Sequence, residues 1–428
     1  MALDTMTPRS MERGSAPVPA TTSSLHWGFV IAWAVCLVFY FLQYAVRSAP
    51  SVMVPQLTGA FGLTTLGVSS LIGLYYYTYS TFALVAGASL DRWGAKYTIP
   101  VGVFMLAIGL AMFASGYWTA SLGRLLQGAG AAFAFVGAVY LATHGFPAKY
   151  LATAIGFTQC LGMLGGSAGQ FAVGPLVSHG IVGWQSFWVY AGAVAFVVAV
   201  VLLLVTPRRE GRTRQGSVLS MFAPYKVILT NPQSYLCGIC AGLLFLPTTI
   251  GDMIWGVSFL RDGWHIGYAE AVSRASMIPL GWVIGAPILG YIADHFGRRK
   301  PVLFAGIALM VLCGLGILYL PPNSFPPYVL GFLLGFGSGA AMIPYSIIKE
   351  VNPDEVKGSA TGAINFIVFV MSAFGAPLYG GLLQKLAGGA PLTLTVFQTG
   401  GAYLLAGVVV AALLAWRLKE TGWAAQRA

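Results

Sequence analysis

Charged residues are scarce in this chain of 428 residues, where Asp, Glu, Lys and Arg together make up 8%. A soluble protein of this length needs a charged surface, so the scarcity excludes an ordinary set of soluble domains. Hydrophobic residues account for 57%, the mean hydropathy is +0.78, and long apolar segments recur throughout. The sequence therefore predicts an all-α membrane protein rather than a β-barrel, whose strands would alternate apolar and polar residues.

Cysteine and histidine are also sparse, with five residues of each. The cysteines all lie inside apolar segments, and the CxxC of Cys237 and Cys240 has no second ligand pair. The histidines show no metal-ligand spacing, and no nucleophile stands beside a candidate base. We expect no metal, no cofactor and no enzymatic activity.

Acidic residues number 12 against 23 Lys and Arg, and the resulting net charge of +11 raises the question of a nucleic-acid partner. Most bases fall in polar segments that would be cytoplasmic if both termini lay inside, whereas only Arg261 and Lys385 fall on the other side. This is the positive-inside rule acting on membrane topology. We expect a lipid bilayer as the partner, no nucleic acid, and both termini in the cytoplasm.

The apolar segments predict twelve membrane helices, in two pseudo-symmetric bundles of six. The predicted helices lie near residues 27–55, 65–89, 97–115, 118–143, 151–176, 184–206, 233–259, 267–292, 301–320, 327–348, 358–384 and 393–416. The longest polar interruption, residues 207–232, predicts a cytoplasmic linker between an N-terminal bundle (26–206) and a C-terminal bundle (233–416). Residues 1–25 and 417–428 are expected to be cytoplasmic tails, and 1–25 lacks the apolar core of a removable signal.

One short pattern occurs twice, at a constant offset of 203 residues. Its glycines, acids and bases are Gly87, Asp91, Arg92, Gly94 and Lys96 in the first copy, and Gly290, Asp294, Gly297, Arg298 and Arg299 in the second. We expect each copy to form a Gly-rich turn whose charges lock onto neighbouring helix ends. Glu350 is a candidate partner for these bases, and a solvated loop charge is the alternative.

Few charges fall inside the predicted helices, and each costs roughly 2.5–3.5 kcal/mol to insert, so each needs a partner or a cavity. Arg274 follows Glu270 by four residues, a spacing that predicts a local ion pair. Arg47 has no acid at that spacing, but Gln43 and Tyr44 lie one turn back. A guanidinium facing a cavity can clamp a carboxylate through two parallel hydrogen bonds; outward snorkelling or pairing with another helix is the alternative.

Asp252 is the carboxylate that lies deepest within a predicted helix. Burial disfavours the charged form of a carboxylate, so such a group can exchange a proton during transport; a structural partner for Arg47 or a helix end is the alternative. If Asp252 and Arg47 face one cavity, a zwitterionic substrate becomes plausible. Depth and polarity add further candidates for the substrate site, namely Gln159, Trp255, Tyr345 and Asn365.

These patterns resemble the major facilitator superfamily of secondary transporters. The repeated pattern resembles its loops between helices 2 and 3 and between helices 8 and 9, and Arg124 with Gly128 and Gly130 resembles its helix 4 motif. The resemblance implies a transporter that works by alternating access, with Asp91 and its counterpart Asp294 as a conformational latch. It also implies a role in coupling for Arg124, for which helix packing is the alternative. We expect a monomer, because the chain already contains both halves.

Motifs in predicted helices 1 and 5 bear on the direction of transport. Gly156, Gly165 and Gly169 have the spacing of the helix 5 motif of drug-exporting antiporters, but Gln170 stands where that motif has proline. The position of Arg47 is similar to that of the helix 1 arginine of organic anion symporters, although Val46 replaces their neighbouring aspartate. Short motifs also resemble bacterial uptake permeases, including phagosomal nutrient transporters. We expect proton-coupled uptake of a small polar metabolite with a carboxylate across the bacterial cytoplasmic membrane, driven by the proton gradient. A drug or siderophore exporter and a transport-inactive sensor are the alternatives.

Overall fold

The computed structural model describes residues 25–146, 148–208, 223–353, 356–422 and 424, and within these ranges every regular element is helical. The α-helices are α1 Trp27–Ser48, α2 Val54–Phe61, α3 Thr65–Trp93, α4 Ala95–Phe113, α5 Tyr117–Gly145, α6 Ala148–Phe171, α7 Val173–Ser178, α8 Trp184–Val205, α9 Ala223–Leu229, α10 Pro232–Leu246, α11 Gly256–Ser258, α12 Tyr268–Ala275, α13 Met277–Phe296, α14 Lys300–Tyr319, α15 Val329–Ser338, α16 Ile343–Glu350, α17 Lys357–Ala387 and α18 Leu394–Arg417.

Eleven of the described helical stretches are long and apolar enough to cross a membrane. The pair α2 and α3, which meet at a bend of 104°, gives a candidate twelfth. The prediction of an all-helical membrane fold with twelve spans is therefore confirmed. Residues 1–24, 209–222 and 425–428, which include most of the predicted tails and linker, lie outside the described residues, and the predicted bundle boundaries remain predictions.

Several of the predicted continuous helices are broken. The helix expected over 233–259 ends as α10 at Leu246, and a π-helical turn, Pro247–Asp252, follows. Proline lacks the N–H that would continue the ladder and crowds the preceding turn, so the backbone widens there. The helix expected over 327–348 is likewise interrupted by a 3₁₀ turn, Gly339–Met342.

The repeated pattern forms a shorter turn than the sequence predicts. Gly87 and Asp91 belong to α3, which continues to Trp93, and Gly290 and Asp294 belong to α13. Only one glycine per copy leaves the helical conformation: Gly94 has φ +73° and Gly297 has φ +62°. A positive φ costs glycine nothing, so a single residue ends each helix. The expectation of a Gly-rich turn over the whole pattern is wrong.

The two halves of the chain meet along two long helix pairs, α3 against α17 and α6 against α13. Hydrogen bonds also join the halves. The Ser167 hydroxyl donates to the Ser276 carbonyl at 2.9 Å beside the α6–α13 pair, and the Tyr268 hydroxyl of α12 donates to the Val52 carbonyl, just after α1, at 2.5 Å. Small residues bring the helices close: a Cβ on Gly73 would lie 3.3 Å from the Ala376 Cβ. The candidate site lies between these seams.

Candidate functional site

Arg47 is held in a cage of aromatic rings contributed by three helices. It is 1% exposed, and its guanidinium carbon lies 4.3 Å from the Tyr44 ring centroid, 4.6 Å from that of Tyr79 and 5.2 Å from that of Phe369. Tyr75 lies at 4.9 Å. Because an aromatic face is the negative end of a quadrupole, these rings stabilise a cation that lacks water.

The polar partners of Arg47 leave part of its guanidinium free. Nη2 donates to Gln43 Oε1 at 3.0 Å and to the Tyr75 hydroxyl at 3.3 Å, and the same hydroxyl donates to Gln43 at 2.8 Å. Nε is buried and has no hydrogen-bond partner among the described residues. The guanidinium therefore keeps an unused donor beside the interface of the two halves.

Arg124 holds the end of α1 in place. Its guanidinium is fully buried and donates to the carbonyls of Ile72 at 3.2 Å, Val46 at 3.1 Å and Arg47 at 3.2 Å, and to Gln127 Oε1 at 2.8 Å. These bonds tie α5 to the backbone that carries the Arg47 side chain. The geometry fits the packing alternative for Arg124, with a positioning effect on Arg47.

Within the described part of the chain, the positive charge of these two arginines has no acidic counterpart at ion-pair distance. The ion pairs found among the described residues involve Arg261, Arg274 and Arg299, and none involves Arg47 or Arg124. Two buried cations without a carboxylate within 4.0 Å are costly unless another negative group arrives. The site is thus electrostatically suited to an anion.

A small cavity lies next to the cage and between the halves. It holds about 10 Å³, the room of a single water, and is lined by Tyr44, Tyr79 and Phe369 from the cage. The predicted residues Gln159, Tyr345 and Asn365 line it as well. They are paired with hydroxyls or amides: Tyr40 donates to Gln159 at 3.1 Å, and Tyr345 donates to Asn365 at 3.0 Å.

Asp252 and Trp255 line a different and larger cavity, of about 150 Å³, formed within the C-terminal half. The sequence predicted Trp255 to line the substrate site with Arg47. In the structure it lines the other cavity instead. Asp252 is 2% exposed, and neither of its carboxylate oxygens has a hydrogen-bond partner among the described residues. Since Asp252 and Arg47 belong to separate cavities, the condition for a zwitterionic substrate is not met.

Gln170 approaches Asp252 from the other half of the chain. Its side chain lies beside the carboxyl group, but neither amide atom meets hydrogen-bond geometry with any described residue. Gln170 is fully buried on α6. The residue that replaces proline in the incomplete export motif therefore lies at the seam between the halves, next to the buried acid.

Arg274 forms the ion pair that its spacing predicted. Its Nη2 lies 2.5 Å from Glu270 Oε1, and the guanidinium also donates to the Pro322 carbonyl at 3.0 Å. The prediction of a local pair is confirmed. The charge of Arg274 is thus balanced within its own helix and loop.

Most charges of the second repeated pattern form one cluster. Arg299 pairs with Asp294 and with Glu350, whose Oε1 lies 2.7 Å from Nη2. Burial lowers the pKa of Arg299, but the hydrogen bonds with Glu350 and Asp294 outweigh it, so the pKa lies above its usual value. Arg298 is exposed. The expected pairing of Glu350 with a loop base is confirmed, and a latch role for the cluster stays a prediction.

The first repeated pattern is arranged differently. Lys96 donates to the Leu204 carbonyl at 3.2 Å, and the Arg92 guanidinium lies 5.8 Å from the Trp93 ring centroid. The side chain of Asp91 lies outside the described residues. The two copies therefore share a sequence pattern and a glycine turn, and the described contact of Lys96 with a backbone carbonyl differs from the ion pairs of its counterpart Arg299.

The sequence reasoning missed most of the cage. It gave no role to the tyrosines at 75–77 and 79, and it overlooked Phe369. It treated Gln170 only as a departure from the helix 5 motif. Aromatic residues spaced three or four apart in α3 were the available signal, because they share one helix face with each other. Their partner on α17 had no local signal.

Comparison with known proteins agrees with this architecture. The sequence profile of the Major Facilitator Superfamily matches residues 36–376 and 239–426. The chain is 28% identical to the membrane sensor protein UhpC of Salmonella typhimurium, over 81% of this chain and 82% of that one. It is 22% identical to the cis,cis-muconate transport protein of Acinetobacter baylyi, over 89% and 94% of the two chains.

Solved structures show the same fold. A bacterial homologue of the human lysosomal transporter Spinster, in an inward-facing and unoccupied conformation, superposes with a TM-score of 0.71 at 14% identity, covering 91% of this chain and 97% of that one. The helices, the repeated pattern and the site between the two halves are thus consistent with one family. The chain is a member of the Major Facilitator Superfamily and a transporter of small metabolites.

Proposed function

We propose that this protein takes up a small organic anion with a carboxylate, by proton-coupled alternating access. The observation that carries the proposal is Arg47, a buried cation beside the central cavity whose Nε has no hydrogen-bond partner, and which forms no ion pair, among the described residues. An arriving carboxylate would supply both the missing acceptor and the missing charge. The muconate transport protein, a relative, is named for such an anion.

Alternating access follows from the placement of the site between halves that meet along α3–α17 and α6–α13. Opening one end of both seams would expose Arg47 to one side of the membrane, as rocking bundles do in this superfamily. We place the protein in the bacterial cytoplasmic membrane, as a monomer, with both termini in the cytoplasm. The abundance of bases in the segments on that side supports this orientation.

Asp252 is the proposed proton carrier. Its carboxyl group is buried beside Gln170 at the seam of the halves and is separate from the substrate cavity. Movement of the seam would change the surroundings of the acid, and thereby its tendency to hold a proton. We assign Arg124 a structural role rather than a role in proton coupling, because its hydrogen bonds anchor the end of α1.

The test is uptake into proteoliposomes under an imposed inward proton gradient, with pooled labelled carboxylates, amino acids and nucleosides. Arg47→Ala and Arg47→Lys are compared with Arg208→Ala, whose exposed guanidinium bonds only Tyr97 among the described residues. We expect carboxylate uptake to be abolished by Arg47→Ala, strongly reduced by Arg47→Lys, which lacks the planar fork, and unchanged by Arg208→Ala.

Asp252→Asn is compared in the same vesicles with Asp262→Asn, which alters the surface ion pair with Arg261. We expect Asp252→Asn to lose gradient-driven accumulation but to retain exchange of labelled for unlabelled substrate. Accumulation by Asp252→Asn that still follows the proton gradient would refute the carrier role. Uptake of amino acids or nucleosides but no simple carboxylate would refute the anion site.

Two rival functions have specific observations in their favour. The glycine spacing in α6 favours an exporter, which would expel dyes from inverted vesicles. The similarity to a membrane sensor protein favours a receptor, which would bind the anion without accumulating it in any vesicle. The proteoliposome experiment separates all three.

A further inference from the structure

We infer that the transported anion is a planar, unsaturated monocarboxylate, of which an arenecarboxylate is the simplest case. This inference rests on the proposed function and concerns the same cavity. It excludes two neighbouring classes that an arginine clamp alone would accept, namely saturated carboxylic acids and zwitterionic amino acids. Three features of the site lead to it.

The first feature is the number of available cations. Arg124 already donates from Nε, Nη1 and Nη2 to the Ile72, Val46 and Arg47 carbonyls and to Gln127. Arg47 retains a buried unpartnered Nε. Arg47, with its unpartnered Nε, can therefore hold one carboxylate, and a second carboxylate would find no equivalent arginine.

The second feature is the absence of an acid at the cavity. None of the described residues that line it is Asp or Glu, and Asp252 borders the other cavity. An ammonium group would therefore enter a space beside the Arg47 cage, with no carboxylate among the described lining residues to balance its charge. This disfavours an amino acid even though its carboxylate would suit Arg47.

The third feature is the aromatic lining. Rings of Tyr40, Tyr44, Tyr79, Phe135, Tyr345 and Phe369 border the cavity. Several meet edge to face, as Tyr79 and Phe369 do with centroids 4.5 Å apart and Tyr40 and Tyr44 at 5.2 Å. A conjugated guest can continue this pattern of ring edges against ring faces, which a saturated guest cannot.

The thickness of the guest molecule also favours planar, unsaturated carboxylates. The cavity of about 10 Å³ must widen before any substrate enters. A flat conjugated molecule is about 3.5 Å thick, which is one van der Waals contact, so it requires the smallest separation of the rings. A saturated ring of equal carbon count is puckered and thicker.

The experiment measures binding to the purified protein by titration calorimetry, which avoids passive permeation of weak acids. The probes are benzoate and its saturated counterpart cyclohexanecarboxylate, with benzylamine and phenylalanine as charge controls. We expect benzoate to bind about tenfold more tightly than cyclohexanecarboxylate, as one or two aromatic contacts imply. Benzylamine and phenylalanine should not bind measurably.

The variants are Phe369→Leu and, as a matched control on the same helix, Phe374→Leu, whose side chain is 58% exposed. We expect Phe369→Leu to remove the preference for benzoate, Phe369→Tyr to restore it, and Phe374→Leu to leave it unchanged. The rescue shows that loss of preference in Phe369→Leu does not reflect misfolding.

The outcomes separate this inference from the proposed function. Equal binding of the two acids, or binding of phenylalanine, overturns the substrate class and leaves the anion site intact. Binding of none of the carboxylates, with uptake of none in proteoliposomes, overturns the proposed function. A preference that survives Phe369→Leu places the aromatic selectivity elsewhere and refutes the role of the cage.

Discussion

Replacing Gly165 with alanine should separate α1 from α6 and weaken the site at a distance. A Cβ at this position would lie 2.2 Å from the Phe41 carbonyl oxygen and 2.9 Å from its carbon. Both are backbone atoms, so no rotamer change relieves the contact. The helices must move apart by about 1 Å to restore ordinary van der Waals separation.

The magnitude follows from two opposing effects. Overpacking of this kind costs about 1–3 kcal/mol, whereas alanine improves helix propensity over glycine by up to about 1 kcal/mol. Gly156 lies on the same helix, and a Cβ there meets nothing within 4 Å. Gly156→Ala should therefore be stabilising, and the two variants should differ by about 1–3 kcal/mol in the free energy of unfolding.

The assay is thermal unfolding of both variants in the same detergent, followed by titration of the anion. We expect Gly165→Ala to unfold at a lower temperature than Gly156→Ala and to bind the anion several-fold more weakly, because α1 carries Arg47. If Gly165→Ala matched Gly156→Ala in both measurements, the close approach of α1 and α6 would not hold the site, and the reasoning would fail.

Three further predictions concern the surroundings of the site. Arg124→Lys should lower the unfolding temperature and weaken anion binding, because each backbone carbonyl that it leaves unpaired costs about 1–3 kcal/mol. Uptake should stay proton-dependent. Loss of proton dependence with normal binding would indicate a coupling role instead. Glu350→Gln should destabilise by less than about 1 kcal/mol, and the effect should shrink in high salt, because the side chain is 28% exposed; a large effect independent of salt would contradict a partly solvated pair. Gly94→Ala should destabilise the protein by about 1–3 kcal/mol, because alanine is strained at the φ of +73° found there. Gly290→Ala, whose added Cβ meets nothing within 4 Å, should not destabilise it. Both effects are measured by thermal unfolding, and equal effects would show that alanine is not strained at the turn.

Features that depend on local sequence were predicted well. Apolar segments located the spans, and the i, i+4 spacing located the pair of Glu270 and Arg274. The prediction of uninterrupted helices at Pro247 and Gly339 was wrong. The apolar content of a segment carries no information about the backbone hydrogen bonds that proline and glycine disturb.

The composition and order of this sequence by themselves determined a twelve-helix membrane protein with related halves and a few buried charges. Helical periodicity also put Gln43 and Arg47 on one face of α1. Only the tertiary structure decided which of these charges share a cavity. It surrounded Arg47 with rings from α3 and α17, and it set Asp252 and Trp255 apart in another cavity. The physical reason is that a helix face is fixed by neighbours a few residues away, whereas the partner of that face is chosen by packing between segments hundreds of residues apart.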